Sequence, residues 1–300
     1  MTDDTNKSGD ADKALSGAKQ RFSKTPFFTA ASALRYHRQS LIQGIEEQTK
    51  RKLLCYLCGS GTEIKRDDTI GFVDLLHNIP EGSKIDLILH TGGGDVDAAE
   101  KLIKLVQDKI GESGDIRAIV PDYAKSAGTL MALGAKSILM SRPSELGAID
   151  PQFVIGDSLG NRVSHSVVHY LTVYEQHEEM LRKDQTDPVA RMMFDKFDPA
   201  IIHKLRIQRQ RVRDAAENLL MRNGMPFSRI ASELMNVEKW KSHNQMITAE
   251  DARDEIGLNV DVIAQDDPLW EKIWQLHCLQ RLELGDEQTL FESYYVSLLV

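Results

Sequence analysis

Two short stretches of this 300-residue sequence combine residue types that can do chemistry. The first is Leu89-His90-Thr91-Gly92-Gly93-Gly94-Asp95, between an apolar run and a helical pattern. Three successive glycines leave backbone N–H groups uncovered by side chains and permit conformations that other residues resist. At a helix entrance such amides can hold an oxyanion or a phosphate, although a tight strand-to-helix turn needs the same residues. A phosphate-binding P-loop is excluded, because no Gly-Lys-Ser or Gly-Lys-Thr follows. The second stretch is Asp122–Leu130 (DYAKSAGTL), where Ser126 opens a helix in front of Ala127 and Gly128. Its hydroxyl suits an N-cap. It equally suits a nucleophile, since the helix dipole and the Ala127 amide can stabilise negative charge beside it.

The elements that must position these turns follow from hydrophobic periodicity. Lys52–Leu57, Ile85–Leu89, Ile116–Val120 and Ser137–Met140 read as buried strands. Helices are expected over Arg35–Thr49, Asp67–Asn78, residues 96–110 and Thr129–Leu133. Alternation of this kind predicts a largely parallel sheet with helices on its faces. Beyond Phe153 the texture changes to three charged helical stretches, Val163–Arg182, Pro199–Arg222 and Phe227–Met235. A Thr248-capped helix stopped by Gly257 follows, then an edge strand over Asn259–Ile263. A helix over Pro268–Leu284 precedes an apolar end, YYVSLLV. Residues 1–35 read as a flexible tail with a short anchoring segment at Phe27-Phe28.

Composition narrows the function classes. Hydrophobic residues at 41% and charged residues at 27% are ordinary for a globular protein. A formal charge of −8 argues against nucleic acid as the principal partner. No apolar run approaches the roughly 20 residues that span a bilayer, and the polar, acidic start is not a signal peptide. Three cysteines form no disulfide framework, so a reducing, cytoplasmic compartment is expected.

The two turns in combination resemble the Clp-protease and crotonase superfamily, and within it the serine dehydrogenase proteinase family, related to signal peptide peptidase A. The resemblance is carried by Ile85–Ala99 (IDLILHTGGGDVDAA), Ala124–Ala135 (AKSAGTLMALGA), Ser144–Gln152 (SELGAIDPQ) and Trp240–Leu258 (WKSHNQMITAEDARDEIGL). It covers roughly residues 35–153 and 238–263. It implies an α/β fold, a Clp-crotonase-type spiral of βα units over 36–263, with a mainly helical insertion at 163–236 and a C-terminal helical extension at 264–300. The family's proline before the glycine pair is replaced here by Gly92, which leaves the amides available.

Residue by residue, the resemblance makes Ser126 the nucleophile and places the oxyanion amides at Gly93, Gly94 and Ala127. Asp150 falls where the Clp peptidase has its catalytic histidine, and His243 or Asn244 at or beside its aspartate. The implied arrangement exchanges the two: His243 as base, Asp150 as the group that orients it. The signal peptide peptidase relatives use a lysine instead. Here Val163–Arg182 holds His165, His169 and His177 but no lysine, leaving Lys183 as the natural candidate for a Ser-Lys dyad. Lys125 adjoins the serine, but a neighbour at such a turn points elsewhere.

The expected activity is that of a cytoplasmic, metal-independent serine endopeptidase without a cofactor, acting on peptides or proteins. Assembly as a homo-oligomer and an unfoldase or regulatory partner are implied by the superfamily. Two alternatives remain on the same fold: a crotonase-like acyl-CoA lyase or hydrolase, and a catalytically silent assembly protein. Cys55-Tyr56-Leu57-Cys58 has metal-site spacing, yet it lies in an apolar strand and reads as core. The basic run Lys204–Arg213 lacks interleaved aromatics and reads as one side of an amphipathic helix. Met192-Met193-Phe194 and Phe197 suggest an exposed apolar patch on the insertion.

Overall fold

The computed structural model describes residues 24–156 and 161–300. Most of the expected tail, residues 1–23, lies outside the described residues. The remainder of it is helical: α1 (Pro26–Ala31) starts at a proline and is capped by Thr25, whose Oγ1 accepts from the Phe28 amide at 3.3 Å. α2 follows as Ala33–Thr49.

Residues from Arg38 to Val300 form one compact unit. Its framework alternates as expected: β1 (Lys52–Cys58), α3 (Thr69–Leu76), β2 (Lys84–His90), α4 (Val96–Ile110), β3 (Asp115–Val120), β4 (Tyr123–Ala124), α5 (Ala127–Leu133), β5 (Ser137–Met140) and β6 (Glu145–Leu146). β7 (Gln152–Gly156), β8 (Arg162–Ser166), α6 (Val167–Lys183), α7 (Pro188–Phe194), α8 (Pro199–Arg222) and α9 (Phe227–Leu234) follow, all but β7 and the first residue of β8 within the 163–236 stretch expected as an insertion. β9 (Val260–Val262), α10 (Pro268–Glu283), β10 (Thr289–Ser293) and β11 (Ser297–Leu299) end the chain. The main sheet runs β11-β10-β1-β2-β3-β5-β9, parallel from β1 to β9 and antiparallel at β10 and β11.

Strands buried on both faces explain the continuous apolar runs. Along β1, Leu54, Tyr56 and Cys58 join a core under α3, α4, α5, α8 and α9. Leu53, Cys55 and Leu57 face the opposite core, made with α2 and α10. Both cysteines are therefore packing residues, and neither is in a disulfide. At the start of β2, buried Asp86 receives Arg51 Nε at 2.7 Å and Arg117 Nη2 at 2.7 Å.

Three elements differ from the periodicity. Chain from Val163 enters strand β8 first, in a hairpin with β7, and α6 begins only at Val167, capped by Ser166. A half-exposed hairpin gives alternation too weak to separate from a helix. The apolar end is not a tail: its β11 pairs antiparallel with β10, where Phe291 packs its ring 5.4 Å from Tyr56 and 6.0 Å from Phe72. β10 pairs with β1, so the sheet's long-range partner lies more than 230 positions away, where local pattern carries no information. Finally, the Thr248 segment forms a π-helical turn, Asp251–Ile256, with Thr248 capping and Gly257 left-handed at its end.

The arginines of the basic run on α8 pair within the chain. Arg209 pairs with Glu175 of α6 at 3.4 Å, and Arg211 with Asp97 at 2.7 Å and with Glu100 of α4. Met192 and Met193 are exposed as expected, whereas Phe194 and Phe197 stack with Tyr174 at 5.2 and 5.4 Å.

Asp86→Ala leaves two guanidinium groups facing each other without their shared buried carboxylate. It is expected to destabilise the fold by about 3–5 kcal/mol, read as a lowered midpoint in urea unfolding.

Candidate active site

The two chemistry-bearing turns meet at the carboxyl ends of the strands. Thr91 N–H donates to Tyr123 O at 3.1 Å and Lys125 N–H to Thr91 O at 3.0 Å, so the glycine turn is stitched to the segment that carries Ser126. Ile64 clamps the other side: its amide donates to Gly93 O at 2.8 Å and its carbonyl accepts from Asp95 N–H at 2.9 Å. Thr129 Oγ1 lies 2.8 Å from Ala124 O and accepts from Gly147 N–H at 3.1 Å, fixing the first turn of α5.

Close approach is what the glycines permit. Gly93 has φ +119°, and a Cβ there would lie 2.9 Å from Ser126 Cβ. Gly94 has φ +142°, and a Cβ there would lie 2.5 Å from the Ile64 backbone. Ser126 itself is held at φ 51°, ψ −115°, a strained conformation for a residue with a side chain. It occupies the N-cap position of α5, yet its hydroxyl makes no capping bond. The cap reading is not realised.

The amides behave unequally. Gly93 N–H donates to Thr91 Oγ1 at 3.1 Å, so it is engaged rather than waiting for an oxyanion. Among the described residues, the Gly94 and Ala127 amides donate to no acceptor of the chain. Ala127 N lies 3.5 Å from the place a Gly93 Cβ would take.

Ser126 opens into a cavity of about 730 Å³ whose walls include Gly92, Gly93, Gly94, Gln152, Arg211 and His243. His243 sits half-buried on the loop before the Asp251 turn. Lys125 holds that loop: its Nζ donates to Leu146 O at 3.1 Å and Gln245 O at 3.4 Å, and pairs with Glu145 at 3.0 Å. The lysine beside the serine is thus a clamp on that loop. Asp150 is buried, and the carboxamide of Gln152 stands between it and the histidine. Gln152 Nε2 is 2.7 Å from Asp150 Oδ2 and 3.4 Å from His243 Nδ1. Sequence reasoning missed Gln152, although it ends the matched segment SELGAIDPQ.

Burial pushes the His243 imidazole below its ordinary value; Asp150 opposes this and Lys125 reinforces it. Burial likewise raises the Asp150 carboxyl, with hydrogen bonds from Ser166 and Val168 and the charge of His243 pulling the other way. The remaining base candidates lie elsewhere. Lys183 is 74% exposed in the last turn of α6 and paired with Glu179 at 2.7 Å. His165 and His169 line a separate hollow beside Phe197. Asn244 is exposed next to His243.

Fold and site define a class: an α/β protein presenting a strained, uncapped serine against a glycine turn, with an imidazole in the same cavity. Residues 63–285 match the ClpP-like SDH-type serine proteinases, and the chain belongs to that family. An uncharacterized protein of Methanocaldococcus jannaschii is 32% identical over 65% of this chain and 59% of its own length. A second uncharacterized protein of that organism is 38% identical over 24% of each chain. The match thus spans less than two thirds of these relatives. Two mutants of the 1510-N membrane-bound stomatin-specific protease, one in complex with a substrate peptide, are similar at 19% and 18% identity. They superpose with TM-scores of 0.43 and 0.45 over 74% of this chain and 80% and 84% of theirs. Among the described residues, no helix is long and apolar enough to cross a membrane.

Gly93→Ala forces a side chain into the Ser126 turn at a positive φ and is expected to cost about 1–3 kcal/mol. Gly92→Ala, which meets nothing within 4 Å, is expected to stay within about 0.5 kcal/mol. Denaturant unfolding of the two variants checks the contrast.

Proposed function

We propose that the chain is a serine endopeptidase in which Ser126 is the nucleophile, His243 the general base and Asp150 the group that orients it through Gln152. The observation that carries this reading is the strained Ser126 with an uncapped hydroxyl in one cavity with His243. His243 takes the proton from Ser126 Oγ as the oxygen attacks a peptide carbonyl. The amides of Ala127 and Gly94 receive the oxyanion, and the Gly93 amide joins them on leaving Thr91 Oγ1. One such donor is worth about 3 kcal/mol of transition-state stabilisation. His243 then protonates the leaving amine, and water hydrolyses the acyl-enzyme. The steps draw on side chains and backbone alone, without a metal or cofactor.

Gln152 controls the tautomer of the base. With its nitrogen on Asp150 Oδ2 and facing His243 Nδ1, the carboxamide leaves the ring proton on Nε2. Freeing Nε2 for the serine requires the carboxamide to turn its oxygen to an Nδ1–H, with Asp150, whose carboxyl burial raises, protonated so that it donates to that oxygen. The acyl-CoA alternative is less well supported. It needs a basic pocket for phosphates, whereas Arg211 is the only arginine or lysine among the described lining residues and already pairs with Asp97 and Glu100. The proposal extends to a cytoplasmic homo-oligomer with a regulatory or unfoldase partner. Exposed Met192 and Met193 support an assembly surface, and three cysteines outside any disulfide support a reducing compartment.

Incubation with a fluorophosphonate, followed by intact mass and peptide mapping, tests the site. A single adduct on Ser126 is expected, absent in Ser126→Ala and His243→Ala but retained in Lys183→Ala. Adduct formation that survives His243→Ala and fails in Lys183→Ala would restore the Ser-Lys dyad.

The pH dependence follows from the buried imidazole. Neutral His243 is the active form and burial lowers its pKa, so kcat/KM on a peptide is expected to rise along an acid limb below pH about 6.5 and to stay level to neutrality. A lysine base would move that limb to alkaline pH.

A further inference from the structure

Three side chains that the serine reaction does not use converge behind the two turns. His90 ends β2, directly before Thr91; Asp122 follows β3, just ahead of the Ser126 segment; His277 lies on α10. One ligand atom from each lies within 4.8 Å of the others. His90 Nδ1 is 3.7 Å from Asp122 Oδ2, and the two imidazole centroids are 4.9 Å apart. Both rings are buried, at 0% and 2% exposure, and Nδ1 of each lacks a hydrogen-bond partner. Asp122 is the most open of the three, with a side chain 39% exposed. Buried polar atoms without partners are rare enough that each needs a cause, and a bound ion is one.

We propose that His90, Asp122 and His277 form a binding site for a divalent metal ion of the zinc class. Two imidazoles and one carboxylate are a zinc donor set, with a fourth position open to solvent beside Asp122. Bonds of about 2.0–2.2 Å place tetrahedral donors roughly 3.4 Å apart, so the 3.7 Å His90–Asp122 pair is nearly in place and the widest pair must close by at most about 1.4 Å. Metal ligation needs neutral imidazoles. Burial supplies them, holding His90 at about 2 and His277 at about 4, with Arg281 adding to both.

Arg281 is the competitor. Its Nη1 donates to His90 Nε2 at 2.9 Å, which leaves the ring proton on Nδ1. An ion bound at Nδ1 requires that proton to move to Nε2, a tautomer change with no net proton release. The guanidinium then loses its acceptor and must swing away, toward Asp122 or solvent. Metal would tie the ends of β2 and β3, and through them both turns, to α10. This role lies outside the Ser126 cavity and is independent of the serine reading.

Titration of the full chain with Co²⁺, watched by visible absorption, tests the site, with Zn²⁺ as competitor. One equivalent is expected to give the intense bands of a tetrahedral ion, displaced by Zn²⁺, identically in wild type and Ser126→Ala. The bands are expected to vanish in His277→Gln and to weaken at least tenfold in affinity in Asp122→Asn. Arg281→Gln removes the competing charge and gives His90 Nε2–H an acceptor, so it is expected to bind at least tenfold more tightly. Thermal unfolding of each metal-free variant confirms folding. Absence of stoichiometric binding in both wild type and Arg281→Gln, or binding that survives His277→Gln, would overturn the proposal.

Discussion

A serine can be held in a left-handed backbone at the mouth of α5 because the opposing strand end brings only a glycine against it. Gly93 approaches Ser126 so closely that even a methyl group would sit 2.9 Å from the serine Cβ. Everything around the pair exists to keep two turns at that separation. The Thr91 ladder joins them, Ile64 braces the glycine side, and Thr129 fixes the helix that follows. Such backbone strain persists only where the surroundings over-determine it. Here parallel strands buried on both faces supply the rigidity.

The electrostatics of the cavity follow from where its loops are tied. Lys125 anchors the loop carrying His243 and adds positive charge beside a ring already short of water. Asp150 lies too deep to be comfortable as an anion, and Gln152 fills the gap to the imidazole. A carboxamide there transmits orientation rather than charge. The His243 imidazole is consequently tuned by desolvation more than by a directly bonded carboxylate. The helical segment after β8 contributes to the same cavity: α8 closes one wall, with Arg211 fastened to the acidic start of α4. Of the basic run on α8, Arg211 is the residue spent on holding that wall in place.

Much of this was legible in the chain. The βα alternation, the glycine turn and the Ser-Ala-Gly-Thr turn are local patterns, fixed by periodicity and by residues with narrow conformational options. They identified β1, β2, β3 and β5, the helices between them, the edge strand β9 and the candidate nucleophile. The Thr248 cap and the Gly257 stop were readable for the same reason. The β7–β8 hairpin and the β10–β11 pair were not. Their residues are few, their exposure mixed, and β10 finds its partner only across nearly the whole length of the chain.

Residue types and spacing by themselves therefore determined the framework, and the resemblance they carry pointed to the family and to Ser126 as the candidate nucleophile. Tertiary structure decided everything that depends on which loops meet. It left the Ser126 hydroxyl uncapped, turned the Gly93 amide onto Thr91, sent Lys183 to the surface and brought His243 to the cavity with Gln152 interposed. It also gathered His90, Asp122 and His277 from three distant segments. The physical reason is the same throughout: backbone preference is written residue by residue, whereas side-chain contact between loops is set by packing over the whole sheet.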